Sequence, residues 1–346
     1  MKQLRIGTLS VLATAIMVTA CNNSNSTPAA TGAEVASPNL TETATENLGT
    51  EWKPVGVNND ETASAFLTTK GGKMLAGTSA GIMVSANKGV SWQPAAINPD
   101  HKAAVFSMAA DAEGTLYAGL SKYGVLISTN GGNSWQLSNN GLSAGGPRSS
   151  YALLAAGNNI LKGTYESGLY LSANKGQSWQ PSNNGIPLNL TTGRMVSVTQ
   201  LVKNSKTVYA LTDLGVRYST DNGSSWNKPA HNGIERLGYM SSLAVNDNTL
   251  FAGVTSGSKG VFASADGGEN WQPAGLSGQP VQSLFVHKGI VYAGTDGAVY
   301  RSADGGKTWS AVGKGLPAKT DVYCIGITPD GKLLAGLNRK GIYLLQ

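Results

Sequence analysis

The chain has 346 residues, 45 of them glycine, with only 13% charged side chains and a formal net charge of +6. That length suits one large β domain or two average ones, and many glycines with few charges suit short strands joined by tight turns. No amphipathic run long enough for a helix follows residue 20, so helical classes are excluded. The charge is too mild and dispersed to argue for nucleic acid, and no Cys/His spacing suits a metal.

In chain order, Lys2 and Arg5 precede a largely apolar run over residues 6–20 that ends in small residues. The run is too short to span a bilayer and predicts an export signal. Val18-Thr19-Ala20-Cys21 resembles the bacterial lipobox, which implies a lipidated Cys21, anchorage to a membrane and a bacterial lipoprotein. Asn22 in place of the Asp that retains such proteins at the inner membrane implies the outer membrane. Without Lys2 and Arg5 the net charge falls to +4. Residues 22–49 are rich in Asn, Ser, Thr, Ala, Pro and Glu and read as a disordered tether, about 30 Å in mean span for roughly 28 residues. The second cysteine, Cys324, lies in an alternating run and reads as a lone core thiol.

From residue 50 onward the chain is built of repeats. One eight-residue pattern occurs six times: Ser, then Asp or Asn two residues on, Gly two further and Trp three further. The copies are Ser85, Asn87, Gly89 and Trp92; Ser128, Asn130, Gly132 and Trp135; Ser172, Asn174, Gly176 and Trp179; Ser219, Asp221, Gly223 and Trp226; Ser264, Asp266, Gly268 and Trp271; and Ser302, Asp304, Gly306 and Trp309. Each follows an alternating run, so a strand enters a tight turn and Trp opens the next strand. The Ser and Asp/Asn oxygens can accept backbone N–H groups, Gly suits φ > 0, and Trp supplies a large ring beneath the turn. Asn serves as often as Asp, so the position needs an acceptor rather than a charge. The turn therefore reads as a structural staple, not a metal or acid site.

These residues resemble the Asp-box, or BNR repeat, of bacterial sialidases, sortilin-type receptors, xyloglucanases and photosystem II assembly factors. The resemblance covers about residues 50–346 and implies a β-propeller. Trp52 and the six turn tryptophans are spaced by 40, 43, 44, 47, 45 and 38 residues, which matches one four-stranded blade per repeat. In the second blade the strands are expected at 105–111, 115–119, 124–129 and 134–138. Residues 51–55 form a fourth-type strand with no turn before it, and the C-terminus supplies three strands and stops where a turn should begin. The missing pieces are complementary, so residues 51–55 should complete the last blade. The expectation is an all-β, seven-bladed propeller of antiparallel blades, closed by its own ends.

Alternating strand direction puts the connections between blades, and those between second and third strands, at the end opposite the Ser-to-Trp turns. The ligand face of sialidase-like proteins is that end. The longest inter-blade loops carry Arg148, Arg194, Arg236, Tyr151 and Tyr239. The other loops add Lys122, Tyr123, Tyr165, Glu166, Asp213, Lys259, Asp296, Arg339 and Lys340. Two further arginines, Arg217 and Arg301, fall on third strands. Arginines with tyrosines suit an acidic partner or a stacked sugar, although surface loops are also where arginines ordinarily lie. His101 and His231 share this face and His287 lies at the opposite end.

Two classes of function stay open. The chain resembles the photosystem II assembly factor-like branch in its seven blades and basic loops, which implies a non-catalytic scaffold that docks an envelope protein, with no cofactor and as a monomer. A glycoside hydrolase or a glycan-binding propeller is the alternative. Sialidases carry an early arginine motif, and no arginine stands between residues 6 and 147. Residues 235–239 offer Glu235, Arg236 and Tyr239 together, but in one loop. Xyloglucanases pair two propellers, and one is present here. The anchor is directly testable: Cys21→Ser should move the protein from membrane to soluble fractions, and unchanged membrane retention would exclude lipidation.

Overall fold

The computed structural model describes residues 49–56, 60–97, 101–144, 146–230 and 238–346. Seven antiparallel sheets surround one axis. Blade 1 comprises Ala63–Thr68, Met74–Thr78, Gly81–Ser85 and Gln93–Pro94; blade 2 comprises Val105–Ala110, Leu116–Leu120, Val125–Ser128 and Gln136–Ser138. Blade 3 is Ser150–Ala156, Asn159–Thr164, Leu169–Ser172 and Gln180–Pro181. Blade 4 is Val198–Lys203, Val208–Thr212 and Gly215–Ser219, with a single bridge from Tyr218 to Asn227 as its fourth strand. Blade 5 is Met240–Asn246, Thr249–Val254, Gly260–Ser264 and Gln272–Pro273, and blade 6 is Ser283–His287, Ile290–Gly294, Val299–Ser302 and Ser310–Ala311.

Blade 7 takes Val322–Ile327, Leu333–Leu337 and Gly341–Leu345 from the C-terminus and Trp52–Pro54 from the other end, with Trp52 opposite Leu345. The closure expected from the sequence is the one observed. Trp52 is buried, and its indole donates to Val312 O at 2.7 Å. The first strands of neighbouring blades pack on one another all the way round, including blade 7 on blade 1.

Two devices let the blades approach closely. Six first strands open with a bulge, such as Ala63/Ala65 in blade 1 and Val322/Cys324 in blade 7. Bulges bend a strand and free its polar groups for other partners. Side-chain donors cross the seams as well: Ser64 Oγ donates to Val105 O at 2.6 Å, the buried Cys324 thiol to Ala63 O at 3.4 Å and, from the unbulged first strand of blade 6, Ser283 Oγ to Val322 O at 2.7 Å. The second device is a glycine on the second strand. A Cβ at Gly336 would lie 2.9 Å from Ala63 O, and one at Gly77 would lie 2.9 Å from Val105 O, so any larger residue would push the seam apart.

The repeated turns are wired alike. In each, the Ser Oγ accepts the Gly N–H at 2.8–2.9 Å and donates to the Asp or Asn Oδ1. The same Oδ1 accepts the N–H four residues on. Asn87 Nδ2 donates to Ser91 Oγ, whereas Thr308 Oγ1 donates to Asp304 Oδ2. The hydroxyl reverses its role, which is why amide and carboxylate interchange. These bonds hold the carboxylates below the usual range: Asp266 down to about 2, chiefly through the Asn270 N–H, and Asp304 chiefly through the Thr308 hydroxyl. At Asp221, bonds from Ser225 outweigh a partial burial that acts the other way.

Not every indole finds a carbonyl. Trp92, Trp179, Trp271 and Trp309 do, whereas the Nε1 atoms of Trp135 and Trp226 are buried without a partner. The fourth strand of blade 2 starts at Gln136, two residues later than its sequence implies, because the Ser134 N–H is taken by the turn.

Ser302→Ala should cost about 1–3 kcal/mol in denaturant unfolding, since it strands the buried Gly306 N–H. Asp304→Asn, which keeps the Oδ1 acceptor and loses only the charge, should cost less at pH 7 than Ser302→Ala. A comparable loss in both variants would mean the charge, not the acceptor, matters.

Candidate functional site

The antiparallel order of each blade places the inter-blade connections and the second-to-third-strand loops at one end of the ring, opposite the six turns. Trp52 pairs with Leu345 at the end of its strand where, in the other blades, those turns begin, so the polypeptide enters the ring from the turn end. The loop end therefore faces away from residue 49.

That loop end is chemically uneven. Among the described residues, the exposed large apolar side chains are Val90, on the first turn, and Tyr165, Leu188, Leu190, Leu214 and Tyr239. The last five all lie in loops of blades 3 to 5. Leu188 and Leu190 are presented by a two-stranded hairpin, Leu188–Asn189 with Arg194–Met195, in the connection between blades 3 and 4.

Aromatic rings continue this sector inward. Tyr151 stands 4.9 Å from Phe106 and 5.9 Å from Tyr165, ring centre to ring centre. Burial pushes Tyr151 up, and the Tyr165 and Tyr239 hydroxyls add to it. Burial likewise raises Tyr239, with Asp213 contributing. Asp213 is raised by burial, against hydrogen bonds from Ser197 and Asn189, and the charge of Glu166 adds to the rise. Glu166 receives a hydrogen bond from Arg194, which pushes that guanidinium up, and its N–H donates to Ser197 Oγ at 3.1 Å. The result is a ring-lined patch with two carboxylates and one guanidinium.

The structure thus brings Tyr151, Tyr165, Glu166, Arg194 and Tyr239 together. Arg148 sits in a short 3-10 turn, Gly146–Arg148, half-buried, with Nε enclosed and unpartnered. Lys122 lies over the Tyr123 ring at 5.1 Å, and Tyr123 meets His101 edge-on at 5.9 Å, in blade 2. Arg339 is across the ring in blade 7, where its N–H donates to Thr62 Oγ1. Asp296 bridges Asp321 at the seam of blades 6 and 7, and burial raises Asp321, with Gln282 bound to it. Arg236, Glu235, His231 and Cys21 lie outside the described residues. Arg217 is buried on a third strand and Arg301 is partly buried on another.

Phe106, Asn189, Leu188, Leu190 and Leu214 were not singled out from sequence. The signal available was Leu188-Asn189-Leu190, an apolar alternation inside a polar connection. Among the described residues no group of His, Cys, Asp and Glu could hold a metal ion.

With this geometry in hand, comparison with known proteins is informative about fold. The family model of the DUF6242 beta propeller domain matches residues 234–344. No curated protein matches the chain. Among solved structures, the extracellular domain of BT4673 from B. thetaiotaomicron is similar over 86% of this chain and 40% of its own length, at 14% identity and a TM-score of 0.68. YCF48 from Cyanidioschyzon merolae is similar over 85% of this chain and 98% of its own length, at 17% identity and 0.65; YCF48 has also been solved bound to D1 peptide. The GH74 xyloglucanase from Xanthomonas campestris is similar over 85% of this chain and 53% of its own, at 18% identity and 0.62. The chain therefore spans about half or less of the first and third of these.

Asp213 tests whether the patch is kept at a cost. A carboxyl raised on folding destabilises the fold above its folded value, and the penalty disappears once both states are protonated. Asp213→Asn should therefore raise stability at pH 7 but not near pH 3, followed by thermal melts. No gain at pH 7 would show that the carboxylate is well accommodated.

Proposed function

We propose that the chain is a non-catalytic docking propeller that binds an envelope protein segment through the loop face of blades 3 to 5. The carrying observation is that exposed Tyr165, Leu188, Leu190, Leu214 and Tyr239 all lie in loops of blades 3 to 5, on the face where Tyr165 also continues the Phe106–Tyr151 ring pair. Rings of this kind give large contact area at small entropic cost, and neighbouring charges then select the partner. The structure of YCF48 with D1 peptide supports a protein segment as the kind of ligand a propeller of this size accepts. Arg148 and Arg194 flank the rings and would meet acidic groups of that segment; Arg236 and Arg339 are proposed as outer contacts.

The same reading places the protein as a lipoprotein anchored through Cys21 to the outer membrane. Entry of the chain at the turn end fits it, because a tether there leaves the aromatic face turned away from the bilayer. A glycan is the second reading, favoured by tyrosines beside the Glu166 and Asp213 carboxylates, which can accept sugar hydroxyls, and by the fold shared with the xyloglucanase.

The triple variant Tyr151→Ala, Tyr165→Ala, Tyr239→Ala should stay folded and lose at least tenfold of the partner yield in photo-crosslinking from residue 188. The yield should be insensitive to competing oligosaccharides. Undiminished crosslinking would overturn the assignment of the face. Competition by oligosaccharide, or turnover of aryl glycosides abolished by Glu166→Gln or Asp213→Asn, would favour the glycan reading.

A further inference from the structure

At one register on the second strands, six blades carry alanine (Ala76, Ala118, Ala210, Ala252, Ala293 and Ala335), and the third carries Lys162. Lys162 is wholly buried between blades 2 and 3. Its Nζ donates to Pro147 O, reaches Ser149 O at 3.4 Å, and lies 5.7 Å from the centre of the Tyr170 ring. A lysine that replaces alanine in the tightest layer of the ring, and spends its donors on one loop, fixes that loop.

Among the described residues no counter-charge faces the amine. The titratable groups on the elements packed about its strand are Tyr170 on Leu169–Ser172, Tyr151 on Ser150–Ala156, Lys203 at the exposed end of Val198–Lys203 and Arg148 in the loop itself, with Tyr117 on Leu116–Leu120 in the same core. Asp111 stands behind Tyr117, whose hydroxyl donates to it at 3.1 Å. No carboxylate among the described residues pairs with Lys162, and burial alone pushes it down to about 7. Charging an enclosed amine without an anion is costly, and the cost is relieved if the group reaches water.

We propose that Lys162 is the positioning residue of the docking face and acts as a proton-operated latch: its neutral amine holds the Pro147 and Ser149 carbonyls against blade 3, and proton uptake favours release of that segment. Ser150 and Tyr151 follow directly, so release would shift the Phe106–Tyr151–Tyr165 rings. That consequence rests on the docking reading; the latch itself does not. In the closed form the amine is neutral above about pH 7, whereas a released lysine stays protonated to about 10.4. Release therefore takes up a proton between those limits, and its population rises about tenfold for each unit of pH lost. Below about 7 both forms are charged and the dependence ends.

The test is amide hydrogen exchange at Arg148, Ser149 and Ser150 in the full chain, corrected for the intrinsic rate at each pH. Expected is a local opening that grows as pH falls from 9.5 to about 7 and then levels, in the wild type only. Lys162→Met and Lys162→Gln, the second keeping a donor, should both lose the slope. A flat wild type, or a slope surviving in either variant, would overturn the latch.

Should the variants not fold, acetic anhydride labelling of the wild type serves instead. Lys162 should acylate at a rate flat from about pH 8 to 10, while a free lysine amide added as internal standard rises about tenfold per unit; a parallel rise at Lys162 would refute it. Loss of the crosslinked partner with an intact exchange slope would sink the docking reading alone.

Discussion

The seam between adjacent blades is the interaction on which everything else depends. A four-stranded blade has apolar side chains on both faces and cannot be stable alone. Its inner strand must reach the inner strand of the next blade, and it does so through bulges, a glycine that leaves room for a carbonyl, and side-chain donors that cross the gap. The seam between blade 7 and blade 1 uses the same parts: Gly336 beneath Ala63 O, and Cys324 Sγ donating to it. This seam is built like the one between blades 1 and 2, and Trp52–Pro54 covers Gly341–Leu345 beside it. Cys324 is buried and its thiol pushed up by that burial, which suits packing and not reactivity.

Much of this was legible in the residues. The six turns could be read because their chemistry is local: a serine, an acceptor and a glycine within five residues fold on themselves whatever surrounds them. Trp52 without its turn, and a C-terminus lacking a fourth strand, could be matched by inspection. The bulges could not, since they arise from the fit between blades rather than from any residue type. The loop face was identifiable as a face, but its composition was not. Tyr151 meets Phe106 only because blades 2 and 3 pack together, and Tyr165 only because a loop of blade 3 folds back over its first strand; Arg339 is separated from Arg194 by the ring itself. The hairpin at Leu188–Asn189 falls in a connection with no strand-like alternation long enough to register.

Among the described residues, the buried side-chain polar atoms without a partner fall in blades 2 to 5. They are Arg148 Nε, Ser107 Oγ, Trp135 Nε1, Trp226 Nε1 and Ser242 Oγ. Lys162 and the raised Asp213 lie in the same sector. Local compromises of this kind commonly accompany a binding surface, where residues answer to a partner as well as to the fold.

Amide hydrogen exchange on the full chain, resolved across residues 50–55 and 341–346, tests the closed ring most directly. If the two ends of the chain share a blade, Trp52, Val55 and Gln346 should be protected to the level of the blade interiors, because each N–H is bound across the closure. Exchange at those three amides as rapid as in a free terminus, with blade interiors still protected, would mean an open ring and contradict the account.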